Sequence, residues 1–214
     1  MRLAGLKWRA TVSTARFDGA GYRVIRPARP IRQAALTESW LGAELELDKA
    51  AAVDLAAAWW LAARSPRSLI HLPLRSSGQL DLVLLHHSLG FRVSDWKRLR
   101  ARLSPPARTT VTLPPTPFRS VAPAEHHRFF HRDFRDHLRY AFAADTLFLV
   151  GSRLAYELAA EDVRALAEDA PAHLAEVPGD HLCAEIGLGP WKPRQRRNPH
   201  AMLHAYLRED PVRS

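Results

Sequence analysis

Residues 49–64 constrain this chain most. Asp48 is a good helix N-cap, Ser65-Pro66 supplies a stop, and between them run Ala, Val53, Leu55, Trp59, Trp60 and Leu61 with almost no polar stripe. A helix that is apolar nearly all round cannot lie on a surface; other elements must cover it on more than one side. The chain has the material to do so. It is 214 residues long, 47% hydrophobic and 25% charged, ordinary values for a globular protein. A chain this long buries about 70% of its unfolded surface and needs no disulfide or metal to fold. Its one cysteine, Cys183, excludes an intrachain disulfide and suits a reducing compartment.

The covering elements read mainly as strands. Leu6, Trp8, Ala10 and Val12 alternate with Lys7, Arg9 and Thr11, and Asp18-Gly19-Ala20-Gly21 turns the chain into Tyr22–Arg26. Pro27–Ser39 reads as a loop, and Leu41–Leu47 alternates again. Ser68–Leu74 and Leu80–His86 form a second hairpin, with Pro73 placing its strand at an edge. Thr109–Leu113 and Leu182–Ile186 are short strands, and Gly151-Ser152 reads as the turn of a hairpin joining Leu147–Val150 to Leu154–Leu158. A helix from Arg153 is the competing reading of that last segment.

Further helices are expected from Ser94 to Leu103, from Pro123 to Ala143, over Glu161–Asp169 and over His200–Arg208. Hairpins outnumber parallel units. The expected class is therefore α+β, a mainly antiparallel sheet packed with about five helices. One domain spans 1–214, and the Pro-rich stretch near 114–122 is where an internal boundary could fall.

The formal charge is +9, and arginine supplies all but four of the 31 basic residues. Placement says more than the sum. Residues 1–32 carry +7 and residues 154–190 carry −7, so the chain is a charge dipole whose ends can meet in the fold or across a homo-oligomer. The N-terminus lacks an apolar signal core, and the longest apolar run, around Thr146–Val150, falls far short of the roughly 20 residues a bilayer requires. A soluble, cytoplasmic protein with no membrane partner is expected.

On a helix from Pro123, Arg128, Arg132, Arg135 and Arg139 would fall within a stripe about 60° wide, opposite Phe130, Phe134 and Leu138. Guanidinium forks bind phosphate or carboxylate bidentately, so such a ridge suits nucleic acid or an acidic protein surface. The competing reading is a plain solvated face, or a ridge neutralised by the acidic 154–190 segment. Lys97, Arg98, Arg100 and Arg102, and the loop Trp191, Lys192, Arg194, Arg196 and Arg197, could extend the basic surface.

The same helix would turn His127 and His131 inward on one face, four residues apart, and His200 and His204 repeat that spacing near the C-terminus. Neither pair contains the Glu of a hydrolytic zinc motif, and no third ligand is evident, so the sequence specifies no metal and no cofactor. His181, Cys183 and Glu185 share one face of a strand, with Leu182, Ala184 and Ile186 on the other. A direct Cys–His pair there must bridge about 7 Å between Cα atoms. Asp81, Glu44 and Glu46 could hold Mg²⁺ only if their strands were neighbours. No glycine-rich phosphate loop and no G-x-S-x-G is present.

Two functional expectations follow. The first is a binding protein that recognises an anionic partner through the arginine stripe. The alternative is an enzyme using His127 and His131, with or without a divalent metal, or the pair His181 and Cys183.

Overall fold

The computed structural model describes residues 2–74, 80–124, 127, 134–190 and 200–208. Its strands are β1 Lys7–Phe17, β2 Ala20–Pro27, β3 Ala34–Ser39, β4 Gly42–Leu47, β5 Ser68–Leu72, β6 Asp81–His86, β7 Ala107–Thr112, β8 Arg139–Phe142, β9 Thr146–Gly151, β10 Cys183–Pro190 and β11 His200–Leu207. Five α-helices join them among the described residues: α1 Lys49–Arg64, α2 Trp96–Arg100, α3 Arg153–Leu158, α4 Ala160–Glu168 and α5 Ala170–Glu176.

The strands form two sheets, one ordered β7-β1-β2-β5-β6-β9-β8 and one ordered β10-β11-β4-β3. Both are mixed. β2 runs parallel to β5, β6 to β9, and β11 to β4. The expected mainly antiparallel sheet is corrected on this point, because α1 returns the chain to the large sheet as a crossover rather than a hairpin. Parallel neighbours require such a long connection.

Helix α1 occupies the centre its composition demands. Asp48 Oδ1 accepts from the Ala51 N–H at 2.6 Å, capping the first turn. Alanines on several sides let it pack on β5 and β6 of the large sheet, on β4 of the small sheet and on α3 and α4. Trp59 is fully buried, and its indole N–H reaches the Tyr156 carbonyl at 2.8 Å. The inner face of the small sheet (Leu36, Leu45, Leu47, Ile186, Leu203 and Leu207) joins the same core. A second core lies on the other face of the large sheet, where Trp96 and Leu99 of α2 cover Phe17, Val24, Val83 and Phe148.

Several local expectations change. Residues 34–39, read as loop, form β3 and zip onto β4. Pro73 does not mark an edge, since β5 lies between β2 and β6 and ends at Leu72 before the proline. Residues after β9 are helix, not hairpin, because Ser152 Oγ accepts from Ala155 N at 3.0 Å and starts α3. The helix from Pro123 does not reach Ala143; residues 134–137 are irregular and 139–142 form β8. Residues 200–207 are the strand β11 rather than a helix, since both sides of it pair, with β10 and with β4. Tertiary pairing overrides the local helical signal at both places. No helix among the described residues is long and apolar enough to cross a membrane.

Candidate functional site

The arginine stripe does not form as one helical ridge. Arg135 sits in irregular chain with its guanidinium on the Phe134 carbonyl, and Arg139 is exposed on the edge strand β8. Arg128 and Arg132 lie outside the described residues, as does His131. His127 is exposed rather than turned inward, so the expected inward histidine pair is not seen. The loop from Trp191 to Arg197 also lies outside the described residues.

A different basic surface is built by the hairpin β1–β2 and the end of α2. Trp96 and Leu99 anchor α2 on the sheet, so the intervening basic residues must point outward. Arg98 and Arg102 lie over the Phe17 ring at 4.8 and 5.2 Å from its centroid, a cation–π arrangement that holds both guanidinium groups at the surface. Ser104 then closes onto the edge of β1, its N–H donating to the Thr14 carbonyl at 2.8 Å and its hydroxyl accepting from Thr14 N at 2.9 Å. The result is an open depression of about 500 Å³ lined by Thr14, Arg16, Tyr22, Arg23, Arg102 and Ser104. Arg16 and Arg23 are exposed diagonal neighbours across β1 and β2. Among the described residues no carboxylate stands within ion-pair distance of Arg16, Arg23 or Arg102.

Four acids of the acidic segment pair elsewhere than with this head. Glu157 binds Arg64 and Arg153, and Arg164 gathers Glu161, Glu168 and Asp169. Four acids of residues 154–190 are thus paired with Arg64, Arg153 and Arg164, and none of these ion pairs reaches Arg16 or Arg23.

A third cluster, His71 with Asp81, is buried beside α2. Nε2 of His71 meets Asp81 Oδ2 at 2.8 Å, and Asp81 Oδ1 accepts from Leu74 N at 3.0 Å. Burial drives His71 below its ordinary pKa. Burial alone would raise Asp81, but the bond from His71 and the nearby charges outweigh it and leave the carboxyl below its usual range. Asp81 belongs to the large sheet while Glu44 and Glu46 belong to the small one, so the Mg²⁺ grouping of these acids does not form. The pair reads as a structural anchor.

The small sheet carries the remaining candidates. Its inner residues Ala184, Ile186, Leu203 and Ala205 are buried, so the alternating Cys183, Glu185, His204 and Tyr206 line its outer face. Cys183 stands opposite Tyr206, and Glu185 opposite His204; on the other side His204 faces Glu44 and Tyr206 faces Glu46. His181, two residues before Cys183, folds over the same face. Its Nε2 lies 3.2 Å from His204 Nε2, and an imidazole nitrogen from each ring and Cys183 Sγ all lie within 4.8 Å of one another. Tyr206 closes the group, its ring centroid 5.2 Å from His204 and 5.6 Å from His181. Asp180 holds the approach, accepting the His181 N–H at 2.8 Å on one oxygen and pairing with His173 on the other. Burial, then Glu185 and Asp162, pushes the Cys183 thiol up. That works against a free thiolate nucleophile at neutral pH.

The strand expected over Leu182–Ile186 starts at Cys183 instead, and His181, in irregular chain just before it, reaches Cys183 by folding over the outer face rather than by sharing a strand face. His204 completes the group because β11 lies beside β10. No spacing rule reveals that, since 20 residues separate Cys183 from His204.

The chain matches no protein-family model, and no curated protein or solved structure is significantly similar to it.

Proposed function

We propose that this protein binds a phosphate-bearing polyanion, with single-stranded nucleic acid as the partner chemistry, through the β1–β2/α2 surface. The observation that carries this reading is the open depression lined by Arg16, Arg23 and Arg102 beside Tyr22, three arginines without carboxylate partners among the described residues. Guanidinium groups track phosphates, and an adjacent aromatic offers a face on which a base can stack. The depression is open rather than enclosed, which suits a passing strand better than a small buried ligand. This keeps the expectation of an anionic partner but moves it from the 128–139 arginines to Arg16, Arg23 and Arg102.

The test is fluorescence anisotropy with a labelled single-stranded oligonucleotide over a salt series. Each phosphate contact on a single strand contributes a slope of about 0.7 in log K against log salt. Replacing Arg16, Arg23 and Arg102 by Gln together should therefore lower the slope by about 2 and weaken low-salt binding. Unchanged binding by the triple variant refutes this surface. Preference for polyglutamate over the oligonucleotide would instead make the partner an acidic protein.

A further inference from the structure

The geometry points to a binding site for a zinc-class divalent ion on the outer face of the small sheet, held by His181, Cys183 and His204. This inference does not depend on the polyanion reading, which concerns the other sheet.

Three observations converge. The donor set is two imidazoles and one thiol, the combination that borderline-soft ions such as Zn²⁺ prefer over the all-oxygen sets of Mg²⁺ and Ca²⁺. The spacing is also right. Two nitrogens about 2.05 Å from one ion at the tetrahedral angle stand about 3.3 Å apart, and the two Nε2 atoms stand 3.2 Å apart. Cys183 Sγ lies within 4.8 Å of a nitrogen of each ring, while a bound sulfur and nitrogen stand about 3.6 Å apart, so a closing shift of about 1 Å completes the set. Finally, the site is framed rather than accidental. Cys183 and His204 sit on adjacent paired strands, and His181 is positioned through its backbone N–H by Asp180. Rigid elements and outer partners that orient ligands are what distinguish a site from a chance cluster.

The surroundings favour a cation. His204 has Glu185 as its cross-strand neighbour on one side and Glu44 on the other, both exposed. Three protein ligands leave a fourth position, which faces solvent because His181 is exposed. A water or one of these two carboxylates can fill it. Binding converts the Cys183 thiol to a thiolate, releasing one proton to solvent, while both imidazoles bind through neutral nitrogens.

The test uses the full chain, freed of metal by chelation and dialysis, then titrated with Co²⁺ and with Zn²⁺ alone. One equivalent of Co²⁺ should produce a thiolate-to-cobalt charge-transfer band, and one equivalent of Zn²⁺ should abolish it. Cys183→Ser should lose the band. His181→Asn and His204→Asn should each weaken Zn²⁺ binding about 100-fold or more, beyond the 10- to 100-fold cost of altering an outer partner. All three side chains lie on an open face, so circular dichroism melts should show the variants folded. No charge-transfer band in the folded wild type overturns the proposal. So does Zn²⁺ binding that survives all three substitutions, which would place the ion on other histidines.

Discussion

Asp54 lies in the middle of the central helix α1, and its carboxylate accepts from the Trp8 indole N–H at 2.6 Å. Burial raises its pKa, the Trp8 bond acts against that rise and the charge of Asp48 adds to it, leaving the group at about 6 against an ordinary 3.8. The sign follows directly. Between pH 3.8 and about 6 the folded protein keeps a proton that the unfolded chain has released, so stability falls as pH rises through that window. Above it the fold carries an ionised, mostly buried carboxylate. At 1.36 kcal/mol per pH unit the rise corresponds to at most about 3 kcal/mol, and about 2 kcal/mol once water screens its exposed edge.

Asp54→Asn tests this, because the carboxamide oxygen can still accept from Trp8 while the charge is gone. Urea unfolding at pH 4, 5, 6 and 7.5, followed by tryptophan fluorescence, should show variant and wild type nearly equal at pH 4. By pH 7.5 the variant should be about 2 kcal/mol more stable, a midpoint shift of about 1 M urea with an unchanged slope. Every other titrating group is common to both proteins, so the difference isolates Asp54. A stability gap that stays constant with pH would refute the reasoning.

Other substitutions probe the frame around the sites. Gly42 has φ of +144°, and a Cβ there would lie 2.2 Å from the Met202 carbonyl oxygen. Gly42→Ala should therefore push β4 from β11, cost about 3 kcal/mol and lower Tm by about 10 °C in a thermal melt. Because His204 rides on β11, the same variant should also lose the cobalt band. Tyr156 is fully buried, and its hydroxyl donates to Leu149 O at 2.7 Å while accepting from Leu85 N at 3.0 Å. Tyr156→Phe should destabilise by about 1–3 kcal/mol in urea, since the Leu85 N–H is left without an acceptor. Asp81→Ala removes the acceptor of both His71 and Leu74 N, and should cost about 2–4 kcal/mol at neutral pH. Asp81 is held below its ordinary pKa, so its contribution is present above the usual carboxylate range and is lost as pH falls through its folded value. Wild type and Asp81→Ala should therefore converge in stability in acid.

What was legible in the sequence was local and periodic. The all-apolar run of α1 and its Asp48 cap announced a central helix, the alternation around Trp8 announced β1, and the alternation from Cys183 to Ile186 announced the start of β10. These signals survive because a capped helix and a half-buried strand are specified by neighbours in sequence. Long-range pairing was decided only in three dimensions. Residues 139–142 and 200–207 have enough helical character to read as helices alone, yet the first pairs with β9 across a three-residue turn and the second pairs with β10 on one side and with β4, far away in the chain, on the other. The arginine stripe dissolved with the first of these reassignments, and the histidine–cysteine cluster appeared with the second. Total charge, too, was a property of the sequence, but its use was not. Local ion pairs satisfied four of the acids of 154–190, and the packing of α2 on β1 and β2 put Arg102 on the rim of a depression that Arg16 and Arg23 also line. Sequence determines which residues can make strands, caps and charged faces; the pairing of strands distant in sequence determines which side chains meet.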